Sequence, residues 1–179
     1  MRKINEIFYS LQGEGRFTGT AAIFIRFSGC NLRCDFCDTA HEDGRMMSDE
    51  EIVAEASKYP TRHVVLTGGE PSLWIDETFV ELLKGHGYFV QIETNGTHTL
   101  PQNIDWVTFS PKTDWILTHS NELKIVYQGQ DLSQWSDFDC QYKYLQPCSC
   151  SNTNEVVEFI KQHPEWRLSV QLHKLIQIP

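Results

Sequence analysis

The sequence predicts an α/β fold in which a mostly parallel sheet forms an abbreviated, open barrel with few helices. Short apolar runs rich in β-branched and aromatic residues recur along the chain, as strands do. Helical patterns lie between some of these runs, and such alternation is typical of parallel sheets. Some gaps, among them residues 95–104, are too short for the dozen or more residues of a crossover. A partial (β/α) barrel that lacks several helices accounts for all three observations.

Seven strands and three helices are expected along the chain. The strand-like runs are 21–28, 63–67, 88–94, 105–109, 122–127, 142–146 and 166–172. A first helix is expected over about 48–58, because Ser48 and Glu51 have capping-box spacing ahead of an apolar pattern. Two further helices are indicated by apolar side chains at helical spacing: Ile75, Phe79, Leu82 and Leu83 in one, and Val156, Val157 and Ile160 in the other.

The composition predicts one globular domain over residues 1–179. A chain of 179 residues that is 40% hydrophobic can form a core, and no repeat or linker divides it. The net charge of -9 opposes attraction to phosphate backbones and anionic lipid, so we expect neither direct nucleic-acid binding nor membrane binding. The chain has no apolar stretch of signal-peptide or membrane-span character, which predicts a cytoplasmic protein.

The strongest chemical motif is a loop that carries Cys30, Cys34 and Cys37 directly after the first apolar run. Structural zinc sites and simple ferredoxin clusters use four protein ligands, whereas three thiolates leave one iron of a cluster open. S-adenosylmethionine (SAM) can chelate such an iron through its amino and carboxylate groups. A zinc knuckle completed by a distant His or Cys remains the alternative. Three other cysteines, Cys140, Cys148 and Cys150, match no motif and are interpreted as free thiols.

Three further segments follow strand-like runs, where the ends of parallel strands collect ligand groups. They are Thr67-Gly68-Gly69-Glu70-Pro71, Glu93-Thr94-Asn95-Gly96 and Ser110-Pro111-Lys112. The paired glycines let the backbone approach a ligand closely. Each segment alone is a weak signal, since Gly-Gly, Asn-Gly and Ser-Pro are ordinary turn pairs.

The cysteine spacing, with Phe36 just before the last cysteine, and the Gly-Gly-Glu-Pro segment together resemble the radical SAM superfamily. The sequence also resembles the 7-carboxy-7-deazaguanine synthase family over nearly its whole length. The segments that carry this second resemblance are Asn5 to Gly15 (NEIFYSLQGEG), Phe17-Thr18-Gly19, Phe24-Ile25-Arg26, Cys37-Asp38-Thr39, Ser110-Pro111-Lys112 and Gln171-Leu172-His173-Lys174.

The resemblance implies a fold, a reaction and a set of cofactors. The fold is a partial (β/α) barrel of the radical SAM type with a mostly parallel six-stranded core and reduced helix content. The reaction is the Mg²⁺-dependent ring contraction of 6-carboxy-5,6,7,8-tetrahydropterin to 7-carboxy-7-deazaguanine, with loss of ammonia, in queuosine and 7-deazapurine biosynthesis. Such an enzyme is a carbon-nitrogen lyase. The cofactors are a [4Fe-4S] cluster, SAM, which yields a 5'-deoxyadenosyl radical, and Mg²⁺.

The resemblance also assigns roles to residues, although it names no side chain as catalytic because the cluster and SAM carry the chemistry. The cluster ligands are Cys30, Cys34 and Cys37, and the Mg²⁺ ligand is Thr39. The SAM contacts are Phe36, Cys37, Asp38, Gly69, Glu70, Ser110, Pro111 and Lys112. The substrate contacts are Leu11, Gln12, Gly13, Arg26, Thr67, His173 and the terminal Pro179.

The expected partners are a small pterin substrate, an external one-electron reductant of the flavodoxin or ferredoxin type, and a second copy of the chain in a homodimer. Three alternatives remain at this stage. The first is an activase that places a radical on a glycine of another protein, and the second is a non-catalytic iron-sulfur electron carrier with a fourth cluster ligand. The third is a zinc-stabilised binding module.

Overall fold

The computed structural model describes residues 1–35, 37 and 39–179, and its nine strands form one sheet. Phe36 and Asp38, both predicted to contact SAM, lie outside the described residues. The strands are β1 (Arg2–Leu11), β2 (Ala21–Phe27), β3 (Arg45–Met47), β4 (His63–Gly68), β5 (Phe89–Thr94), β6 (Trp106–Phe109), β7 (His119–Tyr127), β8 (Asp139–Pro147) and β9 (Trp166–Leu168). The α-helices are α1 (Asp49–Ala56), α2 (Glu77–Gly85), α3 (Thr153–Gln162) and α4 (Leu172–Ile176).

The strand order across the sheet is β3-β1-β2-β4-β5-β6-β7-β8-β9. All neighbours from β2 to β9 are parallel, whereas β1 is antiparallel to both β2 and β3. The predicted α/β class with a mostly parallel sheet is confirmed, but the parallel part has seven strands rather than the six expected for the core. The two antiparallel strands, β1 and β3, lie at one edge, where β1 carries charged side chains that obscure its strand pattern.

The helices follow the sequence signals closely. Ser48 caps α1, with the reciprocal capping-box bonds between Ser48 and Glu51 both present. Residues 95–105, which join β5 to β6, contain no helix, as the short gap predicts. Within the described ranges, no helix is long and apolar enough to cross a bilayer.

The predicted strand at 166–172 is wrong in its second half. Only Trp166–Leu168 pairs with β8, and the chain turns at the buried Ser169 before α4 begins at Leu172. The Ser169 hydroxyl bonds to Gln146 and accepts from the backbone N–H of Gly15. These partners are distant in sequence, so the apolar run alone gives no sign of the turn.

Alternation along the strands separates an apolar outer face from a polar inner face. Ile23, Ile25 and Phe27 of β2 are fully buried in a core cluster that includes residues of α1 and α2. The intervening positions point into the barrel, and several are polar. The polar strand residues that line the interior cavity are Arg26, Thr67, Glu93, Thr94, Lys124 and Gln146. The sheet therefore forms its core on one side and presents functional groups on the other.

Candidate active site

A cavity of about 460 Å³ opens where the parallel strands have their carboxyl ends. Residues that follow β2, β4, β5, β6 and β8 all contribute to its wall, which is the arrangement by which β/α barrels collect ligand groups. The predicted site residues that line it are Leu11, Gln12, Gly13, Arg26, Cys30, Cys34, Cys37, Thr39, Thr67, Gly69, Glu70, Ser110, Lys112, His173 and Pro179. Pro111 is the described member of the predicted set that lies outside this lining.

The cysteine loop, which carries Cys30, Cys34 and Cys37, leaves β2 through a sharp turn. Gly29 has a φ of 88° at this turn, a conformation that glycine adopts without strain. The Cys30 sulfur accepts a hydrogen bond from the Leu32 N–H (3.4 Å), and the Cys37 N–H donates to the Cys34 carbonyl (3.0 Å). Burial raises the pKa of the Cys30 thiol, and nearby charge on Cys34 and Cys37 raises it further. The nearby Glu70 carboxylate also raises the pKa of Cys30, whereas the hydrogen bond from the Leu32 N–H lowers it.

The cysteine loop suits a cluster better than a single ion. Among the described residues, no three His, Cys, Asp or Glu side chains converge on a site for one metal ion. A single tetrahedral zinc ion holds each thiolate at about 2.3 Å and so draws the sulfur atoms within about 4 Å of one another. A cluster of several iron atoms spaces its thiolate ligands more widely. Three cysteines on one short loop are one ligand short of a structural zinc site and match a cluster that leaves one iron open.

The segment after β4 packs backbone to backbone on the cysteine loop. A side chain at Gly69 would place its Cβ 2.0 Å from the Gly29 carbonyl oxygen, so only glycine permits this approach. The Glu70 N–H donates to the same carbonyl at 2.9 Å, and the Gly69 N–H donates to the Phe27 carbonyl at 3.1 Å. Gly69 thus sets the distance between two segments that line the cavity.

The Glu70 carboxylate is 1% exposed and joins the ends of two strands. It accepts hydrogen bonds from Thr94 Oγ1 (2.6 Å), the Asn95 N–H (2.8 Å) and the Ser72 N–H (3.1 Å). The Asn95 side-chain amide in turn donates to Asn31 Oδ1 at 3.0 Å. Glu70 therefore holds the wall beside the cysteine loop in place through internal hydrogen bonds.

Ser110 presents an unsatisfied hydroxyl at the carboxyl end of β6. Its Oγ is buried and has no hydrogen-bond partner within the described part of the chain, although the residue lines the cavity. Buried hydroxyls are normally paired. A bound ligand that supplies a donor or acceptor fits this position, where the sequence predicts a SAM contact.

Arg26 and Thr67 lie side by side on the inner wall, because β2 and β4 pair them in parallel register. Arg26 Nε donates to Glu6 Oε1 at 2.8 Å, and its guanidinium lies over the Phe8 ring. The bond to Glu6 uses Nε, so the two Nη groups keep the fork geometry that binds a carboxylate.

The C-terminal segment covers the loop formed by residues 11–13. The Leu172 N–H donates to the Gly13 carbonyl at 2.9 Å, and a side chain at Gly13 would place its Cβ 2.3 Å from His173 Nδ1. Ser10 Oγ donates to the Pro179 carbonyl oxygen at 2.8 Å. These contacts place His173 and Pro179 at the cavity lining.

Sequence reasoning missed a buried charged group formed by Glu14, Glu93 and Lys124. Lys124 is 5% exposed. Burial alone would raise the pKa of Glu14, but the charge of Lys124 and its hydrogen bond lower that pKa to about 2. A signal existed, since Glu122 and Lys124 interrupt the apolar run 122–127 at alternate positions, as polar residues do on the inner face of a barrel strand.

Two of the three remaining cysteines have clear locations. Cys140 packs against the apolar cluster on the outer face, whereas Cys148 lines the cavity together with the cysteine loop. Cys148 is therefore the thiol that any test for a fourth cluster ligand must include.

The Radical SAM superfamily profile matches residues 24–113, which include the cysteine loop, the glycine pair and residues 110–112. The fold and the site together define a radical SAM protein, and this membership implies a [4Fe-4S] cluster and SAM as cofactors. The three thiols, the close backbone approach at Gly69 and the unsatisfied Ser110 hydroxyl fit these groups.

Similarity to individual proteins extends over the whole chain. It is 60% identical to the 7-carboxy-7-deazaguanine synthase of Bacteroides thetaiotaomicron, with 99% of both chains covered. It is 38% identical to that of Burkholderia multivorans, with 98% of both chains covered. The crystal structure of QueE from Escherichia coli matches with a TM-score of 0.82 at 33% identity, covering 96% of this chain and 94% of that one. The chain belongs to the 7-carboxy-7-deazaguanine synthase family, and the predicted enzyme class is confirmed.

Proposed function

We propose that the chain converts 6-carboxy-5,6,7,8-tetrahydropterin into 7-carboxy-7-deazaguanine with release of ammonia, in queuosine and 7-deazapurine biosynthesis. The supporting observation is that one cavity is lined both by the cysteine loop and by residues 11–13, which we call the substrate loop. A molecule held by the substrate loop therefore lies beside the thiols. The cavity volume of about 460 Å³ is within the range of small-molecule sites.

Cys30, Cys34 and Cys37 hold the [4Fe-4S] cluster in this proposal, and one iron is left for SAM. When bound, the cluster and SAM supply the one-electron chemistry that removes a hydrogen atom from the substrate. The protein's contribution is to orient SAM. The proposed SAM contacts are Phe36, Cys37, Asp38, Gly69, Glu70, Ser110, Pro111 and Lys112.

We assign the substrate carboxylate to Arg26, whose two Nη groups can donate to both carboxylate oxygens. Thr67 is its neighbour on the adjacent strand and completes this part of the proposed site. The pterin ring lies against Leu11, Gln12 and Gly13, whose backbone and amide groups suit its polar edge. His173 and Pro179 complete the proposed pocket and, with α4, exclude water while the ring rearranges.

We assign Mg²⁺ to Thr39, which lines the same cavity. A hydroxyl oxygen is a hard ligand, and Mg²⁺ keeps several waters and accepts ligands from the substrate. The protein therefore needs to supply few ligands, and the pterin carboxylate can supply another.

The resemblance to the family supports the remaining parts of the proposal. The chain acts as a homodimer of single-domain subunits, residues 1–179, in the cytoplasm, and receives electrons from an external flavodoxin or ferredoxin. The net charge of -9 argues against nucleic acid or anionic membrane as a partner.

The proposal is tested by anaerobic reconstitution of the cluster, followed by incubation with SAM, dithionite, Mg²⁺ and the carboxypterin. Mass spectrometry should detect 7-carboxy-7-deazaguanine, and removal of Mg²⁺ with a chelator should reduce its rate of formation. Formation of 5'-deoxyadenosine without the deazapurine would contradict the proposed substrate and favour another radical reaction, such as glycyl-radical activation.

Arg26→Gln should raise KM for the carboxypterin on the order of 30-fold, since a bidentate charged hydrogen bond is lost. The same variant should cleave SAM normally when no pterin is present. Arg167→Gln is a matched control, because Arg167 is exposed and stacks on Tyr142 away from the cavity lining. An Arg26→Gln enzyme with unchanged KM would remove Arg26 from the substrate site.

The electron-carrier alternative is tested by replacing Cys140, Cys148 and Cys150 together with Ala. We expect the variant to keep its iron and to show an electron paramagnetic resonance signal that changes on addition of SAM. Loss of the cluster would identify a fourth protein ligand and favour an electron carrier. Zinc without iron or sulfide in the anaerobically purified protein would favour the zinc-stabilised module.

A further inference from the structure

Lys124 lies at the centre of a ring of buried polar side chains on the inner wall of the barrel. Its Nζ is 2.5 Å from Glu14 Oε2 and 3.6 Å from Glu93 Oε2. Gln12 closes the ring, because its Nε2 donates to Glu93 Oε1 at 2.9 Å and its Oε1 accepts from the Glu14 N–H at 3.1 Å. The central side chain of the substrate loop is thus fixed at both ends of its amide.

Glu14 extends this ring to two other walls of the cavity. Its second oxygen, Oε1, accepts from Gln146 Nε2 at 3.1 Å and from Gln171 Nε2 at 3.0 Å. Gln146 belongs to the carboxyl end of β8, and Gln171 directly precedes α4. One carboxylate therefore joins the segment after the substrate loop, strand β8 and the C-terminal segment.

The ionised form of Glu14 suits these bonds best, because a carboxylate only accepts and its bonds to donors are stronger than those of a neutral acid. Taking such a group out of water is unfavourable unless a positive charge compensates it. Lys124 supplies that charge in direct contact. The backbone N–H of Leu172 and the ring of His173 then pack on Gly13, so the C-terminal segment follows the position of the loop.

We propose that Lys124 is the positioning residue of the substrate loop: its ammonium group compensates Glu14 and so holds the loop, the end of β8 and α4 in one arrangement. This inference rests on the proposed function in taking residues 11–13 as the substrate loop. Lys124 acts through Glu14 and Gln12 and does not itself need to touch the reacting atoms.

The test uses the reconstituted enzyme and three variants: Lys124→Met, Glu14→Gln, and the two combined. Lys124→Met leaves Glu14 without its counter-charge, so KM for the carboxypterin should rise on the order of 30-fold or more. The iron content and the SAM cleavage measured without pterin should stay at the wild-type level. The double variant replaces the ion pair by neutral groups of similar shape, and its KM should recover to within about fivefold of Glu14→Gln alone.

Hydrogen exchange provides a readout that needs no substrate. Three backbone amides tie the loop to its neighbours: the Gln12 N–H donates to the Thr20 carbonyl, the Gly19 N–H to the Gln12 carbonyl and the Leu172 N–H to the Gly13 carbonyl. These amides should exchange faster in Lys124→Met and regain protection in the double variant. Exchange tests the role of Lys124 even if the wild-type protein does not convert the carboxypterin, because that result would contradict only the proposed function. If Lys124→Met does not fold, the exchange rates of Glu14→Gln and of the double variant are compared instead. The inference predicts that the loop amides are equally protected in these two variants, and a difference would overturn it.

Lys58→Met is the matched control, because Lys58 forms an exposed ion pair with Glu55 on the surface. It should change neither KM nor exchange at the loop. The inference is overturned if Lys124→Met keeps the wild-type KM and loop protection, or if it loses the cluster and SAM cleavage to the same extent as pterin turnover. A double variant that is no better than Lys124→Met would also overturn it.

Discussion

The contact between the glycine turn after β4 and the cysteine loop makes a sharp prediction for Gly69→Ala. The added Cβ would lie 2.0 Å from the Gly29 oxygen, 2.4 Å from its carbonyl carbon and 3.0 Å from the Cys30 nitrogen. Two of these atoms are far inside ordinary contact distance, so the segments must separate by more than about 1 Å. Backbone atoms rather than a flexible side chain would have to move.

The cost can be worked out from the contacts that this separation disturbs. The hydrogen bonds from the Gly69 and Glu70 N–H groups are each worth about 1 kcal/mol, and forcing the backbone apart costs about 1–3 kcal/mol. The free energy of unfolding should therefore fall by about 3–5 kcal/mol, which corresponds to a drop in Tm of roughly 10 °C for a chain of this size. The displaced cysteine loop should also retain less iron after reconstitution.

Urea unfolding followed by circular dichroism, on the protein with and without its cluster, measures this change. Gly85→Ala is a matched control, because it introduces the same methyl group at the last residue of α2 with nothing within 4 Å of the new Cβ. It should leave the protein as stable as the wild type, or more stable by about 0.5–1 kcal/mol. An equal midpoint for Gly69→Ala and the wild type would refute the close packing of the two segments.

Two further predictions concern buried charge. Burial raises the pKa of the Glu122 carboxyl from 4.5 to about 7, so the folded chain binds more protons than the unfolded chain between these values, and stability falls as the pH rises through this window. Glu122→Gln should remove this pH dependence of stability and raise the free energy of unfolding at pH 8 by about 2–3 kcal/mol. Urea unfolding at pH 5 and pH 8 measures both effects. A variant whose stability depends on pH as the wild type's does would contradict the raised pKa of Glu122. Arg2→Met should lower the free energy of unfolding by about 3 kcal/mol, because the guanidinium is 8% exposed and binds Asp49 at 2.8 Å and Asp76 at 3.1 Å. A thermal midpoint within 1–2 °C of the wild type, as expected for the loss of an exposed pair, would show that this cluster contributes little.

Local sequence signals predicted the helices and strands whose formation depends on interactions among their own residues. The capping box at Ser48 and the helical spacing of α2 and α3 identified three helices, and β-branched runs identified the central parallel strands. Strand β1 was missed because Arg2 and Glu6 interrupt its apolar pattern. Their partners, Asp49 and Arg26, come from other elements, and no local pattern reveals that these charges are compensated.

The candidate site was predictable to the extent that it consists of short motifs at strand ends. The cysteine loop, the glycine turn and Ser110 all face one cavity, because parallel strands bring their carboxyl ends to the same edge. The roles assigned to these residues, and the single-domain organisation, stay predictions. Lys124 was not identified because its importance depends on Glu14, 110 residues away in sequence.

The two faces of the sheet meet opposing physical requirements. The outer face is apolar and close-packed, and it supplies the stability of the fold. The inner face buries Gln91, Thr108, Glu122 and Lys124, where apolar residues of similar volume would often be neutral or stabilising. A chain selected for stability alone has no need of this polar interior. The proposed function gives this polar interior a purpose. If the loops above it hold a polar substrate beside the cysteine loop, the buried charges fix those loops at a cost in stability, as is common at functional sites.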